Sequence, residues 1–298
     1  MPRLSVILAL GHDPGRASRT LRSTLAALPR DSRLVIIAGD GVDPATGNDR
    51  RVEVHATDGP VSGQQAMNWL LQHTDSELVA RADPGDAALP WRFRSAFGAL
   101  DRNADVMFAP LMGAGTTPRG FTFSDPTGTA PLRTATLRLH LMLSSRITSG
   151  TLVARRSALA AVGGYRDTAL AEYDLALRLA LSPARLHRLS VPGVVTGEAP
   201  ASAGGGERRR ETEGLVADMF RSLSTQLLGR AYLRLPVLAA LPLSAEELDE
   251  ELSAFQADMR RAAQPLPLVE RHPLLRALRR RIAATRTLHR SEMTSVAW

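Results

Sequence analysis

At 298 residues the chain can bury a sizeable core, and a hydrophobic content of 44% is that of a folded soluble protein rather than a disordered one. It has no cysteine, which excludes disulfides and thiolate metal sites. No apolar run approaches the roughly 20 residues that span a bilayer, and the start reads as a strand rather than a signal peptide, so a cytoplasmic protein is expected.

Leu4–Leu10 is a continuous apolar run, the pattern of a strand buried on both faces of a parallel sheet. Ala17–Leu28 places Leu21, Leu25 and Leu28 at helical spacing. Leu34–Ala38 is a second buried strand ended by Gly39-Asp40-Gly41, and Arg51–His55 is a short alternating strand. A helix over Ser62–Gln72 follows, then a strand over Glu77–Ala82 stopped by Asp83-Pro84-Gly85-Asp86. Strands alternating with helices imply right-handed crossovers and an α/β fold with a mainly parallel sheet flanked by helices.

Arg92–Leu100 reads as a helix and Val106–Pro110 as a strand, whereas Gly113–Pro131 has no period and is expected to be a loop. After Thr148–Val153 come a helix near Ser157–Val162, Gly163-Gly164-Tyr165, and a helix over Ala171–Leu181. Ala199–Arg210, rich in glycine and arginine, is the best boundary in the chain. It divides a domain over 1–212 from a helical extension over 213–298. In that extension Ser244 and Glu247 form a capping box, stapled by Leu243 and Leu248.

All 37 basic residues are arginine, so the net charge of +7 persists at any working pH. A GC-rich coding sequence accounts for that bias, and attraction to anionic partners is the functional alternative. The helix expected over 272–290 is amphipathic and arginine-rich. Its two readings are peripheral contact with an anionic membrane and packing on the main domain or on a second subunit of a homodimer. Nucleic acid is a poor partner, because aromatics make up only 4% of residues and base-stacking platforms are lacking.

A sheet of this kind binds nucleotides at the carboxyl ends of its strands. Gly39-Asp40-Gly41, Gly63–Asn68 and Asp83–Asp86 all fall at such ends. The histidines at 12, 55, 73, 140 and 187 have no metal-ligand spacing, and Ser62, Ser149 and Ser157 lack a nucleophile elbow.

In order and spacing these segments resemble the family-2 glycosyltransferases of the GT-A fold. Leu34–Asp43 is similar to that family's Asp-Asp-Gly-Ser segment, and Ala66, Asn68 and Leu70 to its Ala-x-Asn-x-Gly-Leu stretch. Glu77–Phe93 mirrors the strand that ends in Asp-x-Asp-Asp and runs on to Pro-x-Arg. Ser149-Gly150-Thr151, Gly163-Gly164-Tyr165 and Ala171–Leu179 follow the family's second half.

The resemblance implies an inverting transfer from a nucleotide-diphosphate sugar to a hydroxyl acceptor of the cell envelope or of secondary metabolism. It implies nucleotide-sugar contacts at Leu10, Asp40, Gly63, Asn68, Arg81 and Asp83, and a divalent cation (Mg²⁺ or Mn²⁺) held by Asp83 and Asp86. It also implies a catalytic carboxylate at the start of the 171–181 helix, where Glu172 is the candidate base and Asp174 its neighbour. Two motif acids are glycine here, at 39 and 85, and the family's Glu-Asp pair is shortened. An active transferase and a relative that binds without turnover both remain open. The family's Gln-x-x-Arg-Trp is absent, which speaks against processive synthesis.

Overall fold

The structure of the protein is a computed structural model, and it describes residues 2–10, 14–39, 48–114, 121–123, 132–143, 149–168, 170–197 and 206–296. Leu4–Leu10 (β1) and Pro14–Ala27 (α1) open the chain. Ser32–Gly39 (β2), Val52–Thr57 (β3), Gly63–His73 (α2) and Leu78–Ala82 (β4) follow. Next come Ala87–Ala88 (β5), Arg92–Asp101 (α3), Val106–Phe108 (β6), Leu111–Ala114 (β7) and Phe121–Phe123 (β8). Leu132–Arg133 (β9) and Thr134–Leu141 (α4) precede Val153–Arg155 (β10), Arg156–Ala161 (α5) and Ala171–Leu181 (α6). Leu186–Arg188 (β11) and Val194–Thr196 (β12) complete the strands.

The main sheet runs in the order β3-β2-β1-β4-β10-β6-β11-β9. Strands β3, β2, β1 and β4 are parallel, with Leu10 opposite Ala38 and Leu8 opposite Ala82. The carboxyl ends of β2, β1 and β4 therefore lie side by side. Strand order reverses at β1, since the chain first moves out to β2 and β3 and then returns on the other side as β4. That is the switch point at which open α/β sheets take ligands.

Every residue of β1 is buried, as its mainly apolar run requires, and the one polar member, Ser5, shares hydrogen bonds with Thr74 at 2.9 Å and Ser76 at 2.8 Å. Leu4, Val6, Leu8 and Leu10 join Leu21, Phe93 and Leu100 of α1 and α3 on one face. Ile7 and Ala9 join Met67 and Leu70 of α2 on the other. Helix α2 starts where the chain prescribes it. Ser62 accepts the Gln65 amide, and Gln65 returns a bond to the Ser62 amide.

The final helices are Gly206–Leu228 (α7), Leu235–Ala239 (α8), Ala245–Ala263 (α9) and Leu268–Val296 (α10). They extend the α2 side of the core, with Phe220, Leu252, Phe255, Met259 and Leu274 in the same cluster as Ile7. The boundary at 212/213 falls inside α7. The capping box at Ser244 is present as the spacing requires.

Three expectations are revised. Residues 113–114 and 121–123 of the expected loop belong instead to β7 and β8, which pair as antiparallel strands in a small sheet of order β5-β12-β7-β8. Gly206–Arg210, placed in the linker, already belongs to α7. The apolar side of the 272–290 helix is not available to a membrane, because Leu274, Leu278 and Ile282 are buried in the core. Arg276, Arg279, Arg280 and Arg290 remain exposed on its outer side. Among the described residues no helix is long and apolar enough to cross a membrane.

Candidate active site

The site is built on the turn that leaves β4. Asp83 to Asp86 form a β-turn closed by a hydrogen bond from the Asp86 amide to the Asp83 carbonyl at 3.1 Å. Pro84 and Gly85 occupy its corners. Gly85 has φ 94°, the left-handed value that the third position of a type II turn demands and that glycine takes without strain. The Thr20 hydroxyl on α1 accepts from the Gly85 amide at 3.0 Å and lies 2.6 Å from the Asp86 carbonyl oxygen. Ser23 accepts the Ala88 amide at 3.0 Å. The turn is thus fixed from one side by α1.

Both carboxylates of the turn converge on one spot. A methyl group placed on Gly150, in the 3-10 turn Ser149–Thr151, would lie 2.9 Å from Asp83 Oδ2 and 3.0 Å from Asp86 Oδ2. Burial raises the pKa of Asp86, and the neighbouring Asp83 charge adds to the rise against bonds from Thr196 and Gly197. A pair of acids repelling one another in a partly desolvated turn is a site that gains from a cation. Hard carboxylate oxygens suit Mg²⁺ or Mn²⁺, so the residues present fit the expected metal. Among the described residues no group of three or more acids or histidines is placed to share an ion, so Asp83 and Asp86 are the two carboxylates that the described residues would offer it.

Beneath the acids lie two buried arginines. Arg81 is only 9% exposed, and its Nε bonds Asp83 Oδ1 at 2.5 Å while Nη1 stands 3.9 Å from Glu172 Oε1. Burial opposes its charge, but Asp83, Tyr165 and Glu172 outweigh that effect and raise its pKa. Its Nη1 has no hydrogen-bond partner in the described chain, which leaves a donor on the Glu172 side. Arg92 donates from Nη2 to the Arg81 carbonyl at 2.6 Å. Burial lowers its pKa to about 10 against the pull of Asp83 and Asp86, so it stays a cation at neutral pH.

Glu172, in the first turn of α6, is partly exposed and reaches the same cluster through Arg81. Gly63, the first residue of α2, lies against Arg81. A methyl group there would come within 2.7 Å of the guanidinium, so glycine is what lets α2 begin at this point. The structure therefore brings Gly63, Arg81, Asp83, Asp86 and Glu172 together.

Other expected residues have different surroundings. Asp174 is fully buried and bonds Arg178 at 2.6 and 2.9 Å and Arg166 at 3.4 Å, an ion pair that ties α6 to the 162–166 segment. Its carboxylate is committed there, so it is not offered as a catalytic group. The Asn68 amide is likewise spent on Tyr165, donating to its carbonyl at 2.7 Å and accepting from its amide at 2.8 Å. That clamp holds the turn at Gly163 and Gly164, whose φ values are 76° and 65°. The Leu10 side chain belongs to the core, and only its main chain reaches the strand end. Asp40 lies outside the described residues.

Sequence reasoning passed over Arg92, Gly150, Thr20 and Thr196. Arg92 stood in the matched Pro-x-Arg segment, so its position was visible without its role. Gly150 stood likewise in the matched Ser149-Gly150-Thr151 segment, whereas Thr20 and Thr196 bear on the turn through tertiary contacts that no local pattern encodes.

No family model matches the chain, and no curated protein matches it. Among solved structures, residues 1–349 of S. aureus TarS in complex with UDP-GlcNAc match with a TM-score of 0.59 at 16% identity, over 99% of this chain and 92% of that one. The same protein in complex with UDP gives 0.57 at the same identity and coverage. A longer form of TarS gives 0.56, covering 98% of this chain and 55% of that one. The chain has the fold of a GT-A-type glycosyltransferase. In that fold the cluster just described occupies the switch point of the parallel sheet.

Proposed function

We propose that the protein transfers a sugar from a nucleoside-diphosphate donor to a hydroxyl acceptor with inversion at the anomeric carbon. The observation that carries this reading is the meeting of Asp83, Asp86, Arg81 and Glu172 at the carboxyl end of β4. In the reaction the acceptor oxygen bonds to the anomeric carbon as that carbon's bond to the diphosphate oxygen breaks. Glu172 takes the acceptor's proton, and the nucleoside diphosphate departs with the bonding electrons. Arg81 presents fixed positive charge between Asp83 and Glu172, where preorganised charge is most effective because it needs no rearrangement during the reaction. A divalent cation on Asp83 and Asp86 would neutralise charge developing on the leaving diphosphate. The ligands of TarS make UDP and UDP-GlcNAc the first compounds to test.

A second reading, binding without turnover, is favoured by one observation: the turn supplies two carboxylates where the family pattern has three. Donor hydrolysis and transfer, measured with and without Mn²⁺, distinguish the two. Turnover that is lost in Glu172→Ala and Asp86→Ala supports the transferase. UDP-sugar binding with no turnover under any condition supports the second reading. Absence of binding to uridine, guanosine, thymidine and cytidine diphosphate sugars alike refutes both.

A further inference from the structure

A second cleft lies at the opposite end of the main sheet, where β6 and β11 begin. It has a volume of about 440 Å³ and is lined in part by Arg102, Asn103, Arg133, Thr134, Arg185 and His187, with no carboxylate among the described residues of its wall. Its charges do not cancel. Arg185 is held by Asp105 through bonds of 2.9 and 2.8 Å, so that guanidinium is largely balanced. Arg102 and Arg133 have no ion pair or side-chain hydrogen bond among the described residues, although Arg3, Arg33, Arg51 and Arg155 nearby or on the same sheet are all paired.

Two features oppose an anion here. The carboxyl end of α3 contributes about half a negative charge. Glu270 lies close enough to influence His187, but it is buried and bonded to Thr136. Two uncompensated guanidiniums exceed these. The half-buried His187 registers the balance: burial first, then Arg133 and Arg102, disfavour its cationic form more than Glu270 favours it. A concave, positively charged wall with spare guanidinium donors is the geometry that takes phosphate oxygens.

We propose that this cleft is a binding site for a phosphate-bearing small molecule, held by Arg102 and Arg133 and separate from the site at the strand ends. The proposal does not depend on the transferase reading.

The test uses the full chain labelled with ¹³C-histidine, with the His187 ring signal assigned from His187→Gln. Inorganic pyrophosphate is titrated in, with sodium chloride of matched ionic strength as the reference. The expected result is a saturable shift of the His187 signal and a higher His187 pKa when pyrophosphate is bound. Each of Arg102→Ala and Arg133→Ala should weaken this binding on the order of tenfold or more, as loss of a charged hydrogen-bond donor does. Both side chains are exposed, so the melting temperature should not move. Binding at the strand ends leaves His187 untouched, because it lies at the far end of the sheet. The proposal is overturned if His187 responds no more to pyrophosphate than to chloride, or responds equally in the doubly substituted protein.

Discussion

Replacing Gly63 by alanine should destabilise the protein, although the same change at an ordinary helix start stabilises. A methyl group at this position would stand 2.7 Å from Cζ, Nε and Nη2 of Arg81, where carbon contacts normally rest at about 3.5–4.0 Å. The far end of an arginine can usually step aside, but Arg81 is buried and tied to Asp83 at 2.5 Å. Retreat by about 0.8 Å removes the contact but stretches the Nε–carboxylate separation to about 3.3 Å, beyond the roughly 2.7–3.2 Å of a well-formed N–H···O bond, so most of that bond is forfeited. Loss of such a charged bond costs about 1.5–3 kcal/mol. Lower entropy of the unfolded chain returns about 0.4–1 kcal/mol, leaving a net loss of roughly 1–2 kcal/mol. In an Arg81→Ala background the obstruction is gone, and Gly63→Ala should then stabilise by about 0.4–1 kcal/mol. Urea denaturation of the four proteins in this cycle measures both effects. Stabilisation of equal size in the two backgrounds would refute the packing of α2 against Arg81.

The remaining expectations concern the acids and their clamps. Asp174→Ala should cost about 3–5 kcal/mol, because it leaves Arg178 buried without its partner. Glu172→Gln should instead leave the unfolding free energy from urea denaturation within about 0.5 kcal/mol of the parent while removing turnover; the reverse pattern would exchange the roles assigned to the two acids. Asn68→Ala should cost about 1–3 kcal/mol through two lost bonds to Tyr165, seen as a lower melting temperature. The folded-state pKa of Asp86 is raised above its unfolded value, so the folded state keeps its proton longer. The stability it contributes is complete below the unfolded pKa and is lost as pH rises through the folded one. Asp86→Asn should therefore gain on the parent over that window, and Mn²⁺ affinity of the parent should increase through it. A gap between the two proteins that does not change with pH would contradict the burial of Asp86.

The parallel half of the fold was legible because its strands carry their environment in their composition. Leu4–Leu10 is apolar but for Ser5 and buried throughout, and Ala171–Leu181 and the Ser244 cap have the bounds that periodicity and capping chemistry assign. The small sheet was not legible. Ala87–Ala88 is two residues long, and β7 and β8 lie in a stretch where glycine and threonine give no alternation. Asp174 shows a subtler failure. The sequence places Arg178 four residues on, a familiar surface pair. Yet the intervening residues of α6 are apolar on every side, and such a helix is buried all round. Charges on it must then pair internally, which assigns Asp174 to structure. Asn68 and Tyr165 meet across 97 residues, a separation at which one sequence offers no signal.

The glycine at 85 changes what the acidic motif requires of its neighbours. A non-glycine residue in the left-handed region costs about 1–2 kcal/mol, so an acid at 85 would strain the turn that places Asp83 and Asp86 together. The turn is also confined at its Gly85 carbonyl oxygen, which a methyl group on Gly197 would meet at 2.7 Å. Helix α1 through Thr20 and the residue after β12 thus both bear on Gly85, one at its amide and the other at its carbonyl oxygen. With Arg81 and Arg92 set against Asp83, Asp86 and Glu172, the cluster carries one net negative charge, whereas a third motif acid would give two. Two acids brought to one point by a rigid turn can serve a cation that the longer motif would hold by number, because geometry and not carboxylate count decides whether oxygens converge.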